Sequence, residues 1–280
     1  GMGYDLYKTS EKAKNLFEKA NEILDFNISK IMFEGTEDEL KKTNVTQPAI
    51  FIHSVILASC INDSPEMVAG HSLGEFSALV CSKTISFKSG LKLVLERAKA
   101  MHLACEKCKS TMAAIIGLNA SIIEEYCEAE KKVVVPANYN SPNQIVISGE
   151  TNAIIQICKK LSDAGAKRTV ILPVGGAFHS PIMDSVKTKL KISISQTEFN
   201  HPICPIYQNV SAKPTTDPNC LKENLIDQLT QPVKWFQTIE QMVQDGATNF
   251  FEVGPGNVLT GLNRRINREI PSVKAKYIED

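Results

Sequence analysis

The sequence predicts an α/β protein in which a parallel sheet with flanking helices is interrupted by a small inserted unit. Three features carry that expectation. The N-terminal third has mostly helical apolar spacing. Short apolar strands bounded by turn residues punctuate the remainder. Between residues 108 and 174 the order becomes strand, helix, strand, strand, helix, strand, the split-βαβ pattern of a ferredoxin-like unit. The expected organisation is a large unit of residues 1–107 and 175–280 with an insertion of residues 108–174.

Taken in order, Ser10 is placed to cap a helix through Ala20, and Gln47-Pro48 opens an apolar helix through Ile61. Pro65 breaks the chain. Met67-Val68-Ala69 reads as a short buried strand running into Gly70-His71-Ser72-Leu73-Gly74 and a helix from Glu75 to Val80. A long helix follows from Phe87 to Lys107, with Leu91, Leu95, Ala98 and His102 at helical spacing. In the insertion, strands are expected at Met112–Gly117, Val133–Pro136, Gln144–Ser148 and Arg168–Leu172, and helices at Ser121–Glu130 and Thr151–Ala164. Residues 138–143, Asn-Tyr-Asn-Ser-Pro-Asn, read as a polar loop. Beyond it come a helix near Ser180 to Lys191, a strand at Ile206–Asn209 and two amphipathic helices. A strand at Asn249–Val253 then ends at Gly254-Pro255-Gly256, before a last basic helix.

With 280 residues, 43% of them hydrophobic, the chain can bury one substantial core and a satellite. Lys plus Arg and Asp plus Glu are equal at 31 each, a balance that gives no support to a nucleic-acid binder. No apolar run approaches the length that crosses a bilayer, and Gly1-Met2-Gly3-Tyr4-Asp5 does not resemble a signal peptide. The eight cysteines are scattered; Cys105 and Cys108 form a CxxC with no second pair at zinc-site spacing. Reduced helix thiols, no metal, no resident cofactor and a cytoplasmic location are therefore expected.

Gly70-His71-Ser72-Leu73-Gly74 matches G-x-S-x-G between a strand and a helix. Such a turn strains the serine and exposes its hydroxyl. Its two glycines are expected to avoid clashes with the neighbouring strand and helix. The following helix aims its positive end at the site, where the Leu73 N–H can stabilise an oxyanion. Ser72 needs a base, and five histidines are available. His53 and His102 fall within helices, His71 should point away from its neighbour, and His201 lies in a loop beside Pro202. His179 stands in Gly175-Gly176-Ala177-Phe178-His179-Ser180, where small residues leave space for an acyl chain, and is the candidate general base and acid. Arg97 shares a helix face with Leu93, Val94 and Met101. From spacing alone an arginine snorkelling to water is the favoured reading, with a two-point grip on a carboxylate as the other.

These segments occur in order with Glu96-Arg97-Ala98-Lys99-Ala100-Met101, Met112-Ala113-Ala114-Ile115-Ile116-Gly117 and Asn138-Tyr139-Asn140-Ser141-Pro142. Gln231-Pro232-Val233-Lys234-Trp235 and Glu252-Val253-Gly254-Pro255-Gly256 follow. Together they resemble malonyl-CoA:acyl carrier protein transacylases and the related acyltransferase domains of polyketide synthases, over nearly the whole chain. The resemblance implies an α/β-hydrolase-like large domain with a ferredoxin-like insertion. It implies Ser72 as nucleophile, His179 as its base, the Gln228 carbonyl as the group orienting His179, and Arg97 on the free malonyl carboxylate. It implies malonyl-CoA and an acyl carrier protein as partners, in fatty-acid or polyketide synthesis, with malonyl favoured over branched units by the Ala-Phe-His context. Members of that family begin with a strand and a Gly-Gln-Gly-x-Gln stretch, whose glutamine helps form the oxyanion hole. The chain starts at Gly1-Met2-Gly3, so either a truncation or an oxyanion hole weakened by roughly a hundredfold in rate is expected.

Two other classes stay open. The first is a serine hydrolase of the patatin or esterase type, although an esterase would need an acid between Ser72 and a late histidine and no histidine follows His201. Asp245-Gly246-Ala247 resembles the Asp-Gly motif of patatin-like hydrolases, although a Gly between helix and strand is ordinarily a C-cap. An inactive homologue that only docks carrier proteins is the second. The basic stretch with Arg264, Arg265 and Arg268 reads as a solvated helix face.

Overall fold

The computed structural model describes residues 1–276. Five helices come first: α1 (Tyr4–Thr9), α2 (Glu11–Leu24), α3 (Ile28–Glu34), α4 (Glu37–Leu40) and α5 (Thr43–Ser59). Ser10 caps α2 by accepting from the Ala13 N–H, and Thr36 with Glu39 closes a capping box on α4. The helix expected to open at Gln47-Pro48 opens instead at Thr43 and ends at Ser59, with Pro48 inside it. Lys42 O accepts from the N–H groups of Val45 and Thr46, so the first turn is complete before the proline is reached.

The strand β1 (Val68–Ala69) leads into α6 (Gly74–Cys81) and then α7 (Phe87–Lys107). The next stretch holds β2 (Ser110–Ile116), α8 (Ala120–Glu128), β3 (Val134–Ser141), β4 (Gln144–Glu150), α9 (Thr151–Asp163) and β5 (Arg168–Ile171). After a 3₁₀ turn at Pro181–Met183 come α10 (Asp184–Gln196), β6 (Ile206–Tyr207), β7 (Pro214–Thr215), α11 (Pro218–Asp227) and α12 (Trp235–Gln244). The described chain closes with β8 (Phe250–Glu252), α13 (Val258–Ile266) and β9 (Ser272–Lys274).

The main core lies among the helices. α7 packs against both α5 and α10, and Phe17, Phe51, Ile52, Ile56, Phe76, Leu79 and Leu91 are fully enclosed there. The expected parallel sheet is reduced to two small pieces. β1 pairs in parallel with β6, which pairs antiparallel with β7; β8 and β9 form a separate parallel pair. The first sheet stops early because the chain leaves the ladder after Tyr207. The Asn209 N–H donates to a buried carboxylate, Glu75 Oε2, rather than to a neighbouring strand.

Residues 110–171 form a four-stranded antiparallel sheet in the order β3-β4-β2-β5. One face carries Ala113, Ile115, Ile145 and Ile147 against Ile123 and Cys127 of α8 and Ile154, Ile157 and Leu161 of α9. The opposite face carries Met112, Ala114, Ala137 and Val146 and packs on Leu172, Val174 and Phe178, the segment that leads to His179. Burial on both faces explains why β2 reads as a continuous apolar run. The expected polar loop at 138–143 is mostly strand: Asn138, Tyr139 and Ser141 pair with Val146, Ile145 and Gln144. Its polar residues hid an edge that is hydrogen-bonded to other parts of the chain, since Tyr139 N–H donates to Val233 O and Val233 N–H to Ala137 O.

Ile154→Ala, which empties the middle of the cluster under this sheet, should cost about 2–5 kcal/mol. The measurement is amide hydrogen exchange. Faster exchange is expected across 110–171, with α5 and α7 unchanged; equal acceleration in α5 and α7 would show a single cooperative core.

Candidate active site

The site is built at the C-terminal end of β1. Ser72 has φ 51, a left-handed conformation for a residue with a side chain, and the turn is one residue from helix α6. Gly70 is required by close approach, because a Cβ there would overlap the backbone of Gly74. The matching expectation for Gly74 is corrected: a Cβ added there meets nothing within 4 Å. Gly176 likewise serves packing rather than space, since its Cβ would strike Cys105 Sγ and the Phe178 ring.

His179 also has positive φ, at 58, and is 4% exposed. Its Nε2 lies 2.8 Å from Ser72 Oγ and its Nδ1 2.8 Å from Gln228 O. A carbonyl can only accept, so the proton sits on Nδ1 and the Nε2 lone pair faces the serine hydroxyl. Burial pushes the imidazole down to about 3, with the Arg97 charge adding to the shift and the bond to Gln228 O opposing it. The ring is therefore neutral at ordinary pH.

Arg97 does not snorkel. It is 2% exposed and its guanidinium lies over the Phe76 ring. Nη2 donates to Ser72 Oγ at 2.8 Å and reaches Gln228 Oε1 at 3.5 Å, while Nη1 donates to Gln47 Oε1 at 2.7 Å. The buried Nε–H has no partner among the described residues. Burial lowers this group to about 10, opposed by the nearby Glu75 charge, so it remains a cation.

Around this trio lie residues that sequence reasoning missed. Gln47 holds the guanidinium and Asn209 bridges the strand side and the centre of the serine turn. Glu75 is fully buried, and burial raises it to about 7 against the pull of the Asn209 N–H, Gln208, Gln228 and Arg97. The side chain of Gln228 is also engaged, donating to Ser72 O at 2.9 Å. A charged residue directly after G-x-S-x-G, on the first turn of an otherwise apolar helix, was the one available signal. Leu73 has αR dihedrals at the start of α6, and its N–H donates to no acceptor among the described residues.

The remaining candidates lie elsewhere. His71 is turned aside, with Nε2 2.8 Å from Asn140 Oδ1 of β3 and its ring tilted against Trp235. His102 pairs with Glu106, and His201 lies by Thr216 O. Asp245 accepts from Tyr207 Oη at 2.7 Å and Gln241 Nε2 at 3.0 Å, so it does not serve Ser72, and Gly246 at φ 103 is the positive-φ residue just past the α12 cap. All eight cysteines are free thiols. Arg264, Arg265 and Arg268 line an open cavity of about 560 Å³, and Arg264 donates to Ser272 O. Among the described residues no His, Cys, Asp and Glu side chains group to hold a metal, and no helix is long and apolar enough to cross a membrane.

The unfolded chain takes up a proton on His179 below its ordinary value of 6.5, whereas the folded chain resists until about 3. The stability His179 contributes is thus complete above 6.5 and lost as pH falls toward 3. The stability gap between the native chain and His179→Ala should narrow over that window. Urea midpoints at several pH values check it; a constant gap would show an imidazole of ordinary basicity.

The family model of the acyl transferase domain matches residues 1–276. Malonyl CoA-acyl carrier protein transacylases of Staphylococcus aureus (strain MRSA252) and Bacillus subtilis (strain 168) are each 37% identical to the chain. Those alignments cover 100% and 98% of it and 92% and 88% of the relatives. A crystal structure of an acyl carrier protein S-malonyltransferase from Vibrio cholerae matches with TM-score 0.96 at 37% identity, over 99% of this chain and 93% of that one. A malonyl-transacylase solved in complex with its type II polyketide synthase acyl-carrier protein matches with TM-score 0.93 at 36% identity, over 98% and 90%. The chain therefore belongs to the acyl transferase domain family, with malonyl CoA-acyl carrier protein transacylases among its relatives.

Proposed function

We propose that this protein transfers a malonyl group from coenzyme A to the phosphopantetheine thiol of an acyl carrier protein through a malonyl-Ser72 intermediate. One observation carries the reading: Ser72 Oγ is held at 2.8 Å by a neutral histidine on one side and at 2.8 Å by a buried arginine on the other. The histidine suits attack on a thioester, and the arginine suits a substrate that brings its own carboxylate.

In the proposed reaction the Ser72 oxygen attacks the malonyl carbonyl as its proton passes to His179 Nε2, and the Gln228 carbonyl supports the imidazolium through Nδ1–H. The Leu73 N–H, at the positive end of α6, faces the developing oxyanion. The carbon–sulfur bond breaks and the coenzyme A sulfur leaves with the proton from His179. The carrier thiol then gives its proton to His179 and attacks the ester, and Ser72 recovers that proton as its bond to the acyl carbon breaks. Arg97 exchanges its bond to Ser72 Oγ for the malonyl carboxylate, and its unmet Nε–H supports that role. The function uses two domains, residues 1–107 with 175–280 and the insertion 108–174. Phe178, packed on the insertion, walls the cleft that excludes water. A reducing, cytoplasmic setting suits the eight free thiols, and no resident cofactor is needed for these steps.

Mass spectrometry of the intact protein after mixing with malonyl-CoA should show a malonyl adduct on the native chain and none on Ser72→Ala. Absence of the adduct from the native chain overturns the proposal. Arg97→Ala should lose malonyl transfer by about 100-fold while acetyl transfer falls far less, as removal of a buried two-point charge contact requires. Rates with the two coenzyme A donors decide it, and equal losses would remove the carboxylate contact.

A further inference from the structure

The nucleophile is held in a conformation that it would not keep unaided, so the group that holds it is part of the machinery. One side chain bridges the strand side and the centre of the turn. Asn209 Oδ1 accepts from the Ser72 N–H at 2.7 Å, and Asn209 Nδ2 donates to Gly70 O at 2.7 Å. Asn209 is fully buried just beyond β6, and its own N–H donates to Glu75 Oε2 at 2.9 Å. Glu75 Oε1 accepts from Gln208 Nε2 at 3.0 Å, and Gln208 Oε1 accepts from Asn224 Nδ2 at 2.9 Å. Glu75 lies in the first turn of α6, the helix that follows Ser72. The turn is therefore tied from its strand side through Gly70, at its centre through Ser72 and from its helix side through Glu75.

We propose that Asn209, anchored by Glu75, is a positioning residue that holds Ser72 in its left-handed conformation by bridging Gly70 O and the Ser72 N–H. This inference rests on Ser72 being the nucleophile of the proposed reaction. It separates Asn209 from Arg97 in kind: the bridge acts on the serine, so its loss affects every acyl donor equally and leaves donor binding intact.

Replacing Asn209 with aspartate gives a specific signature. The carboxylate keeps an acceptor for the Ser72 N–H but turns an oxygen against Gly70 O; once protonated, that oxygen donates and the bridge re-forms. The charged and titratable groups around the cluster are Glu75 on α6, Arg97 on α7, His179 and His71. Both histidines are pushed down by burial and Arg97 stays cationic, which leaves Glu75 as the group titrating in the same range. Each variant is therefore compared with the native chain at the same pH.

The experiment measures the rate and final stoichiometry of Ser72 labelling by a small fluorophosphonate in the native chain, Asn209→Ala and Asn209→Asp. Both variants should label to one per chain but about 100-fold more slowly near neutral pH, as misplacement of a nucleophile implies. The ratio of Asn209→Asp to native should rise as pH falls from neutral through about 5.5, where a growing share of the carboxyl is protonated, with that of Asn209→Ala staying flat. In turnover, kcat should fall for malonyl and acetyl donors alike while KM for malonyl-CoA is unchanged. A native labelling rate in Asn209→Ala overturns the inference. So does a reduced labelled fraction that reacts at the native rate, which would make Asn209 only a support of the fold. Identical pH dependence in the two variants also overturns it. Failure of the native chain to label at Ser72 overturns the nucleophile assignment and this inference with it.

Discussion

Burying a cation beside the Ser72 hydroxyl constrains everything near it. Taking a guanidinium out of water costs several kcal/mol unless other groups replace its hydration. Arg97 meets that cost without a carboxylate in direct contact: Gln47, Ser72 and Gln228 accept its Nη hydrogens, and the Phe76 ring lies beneath it. The buried acidic group Glu75 stands back behind Gln208, Asn209 and Gln228. An arrangement of this kind keeps the cation available to an incoming anion. A direct ion pair would have occupied it.

The same groups set the histidine. Burial and the Arg97 charge both disfavour imidazolium, so His179 rests neutral with its lone pair on Ser72. Gln228 joins the two halves of the site, since its carbonyl receives His179 Nδ1–H while its side chain bonds Ser72 O and approaches Arg97. One residue at the end of α11 thereby holds the imidazole and borders the guanidinium. In the proposed reaction, proton transfer and carboxylate recognition share a single rigid support.

The four-stranded sheet is tied to this support rather than hung from it. β3 bonds Val233 through Ala137 and Tyr139, and Asn140 meets His71, the residue before Ser72. His71 also rests on Trp235, whose Nε1–H is held by Asn263. Backbone hydrogen bonds and the His71 imidazole thus tie this sheet to the serine turn.

Much of this was legible in the residues. Helix spacing located α7 from Phe87 to Lys107, the split strand order marked the four-stranded sheet, and G-x-S-x-G between strand and helix located Ser72. Those signals are local, set by periodicity and turn chemistry within a few residues. Arg97 shows where local reading stops: its apolar stripe is equally that of a snorkelling side chain and of a buried one, and only the packing of α5 and α6 against α7 removed the water. The polar run 138–143 misled for a related reason, because its backbone is bonded to Val233 as well as to β4. Pro48 misled because the first helical turn closes on Lys42 O before the proline. Asn209 and Gln47 carry no signal of their own, being an amide after a short strand and an amide before a proline. Their roles come from hydrogen bonds spanning 137 and 50 residues of chain, a separation at which only the folded backbone determines which groups meet.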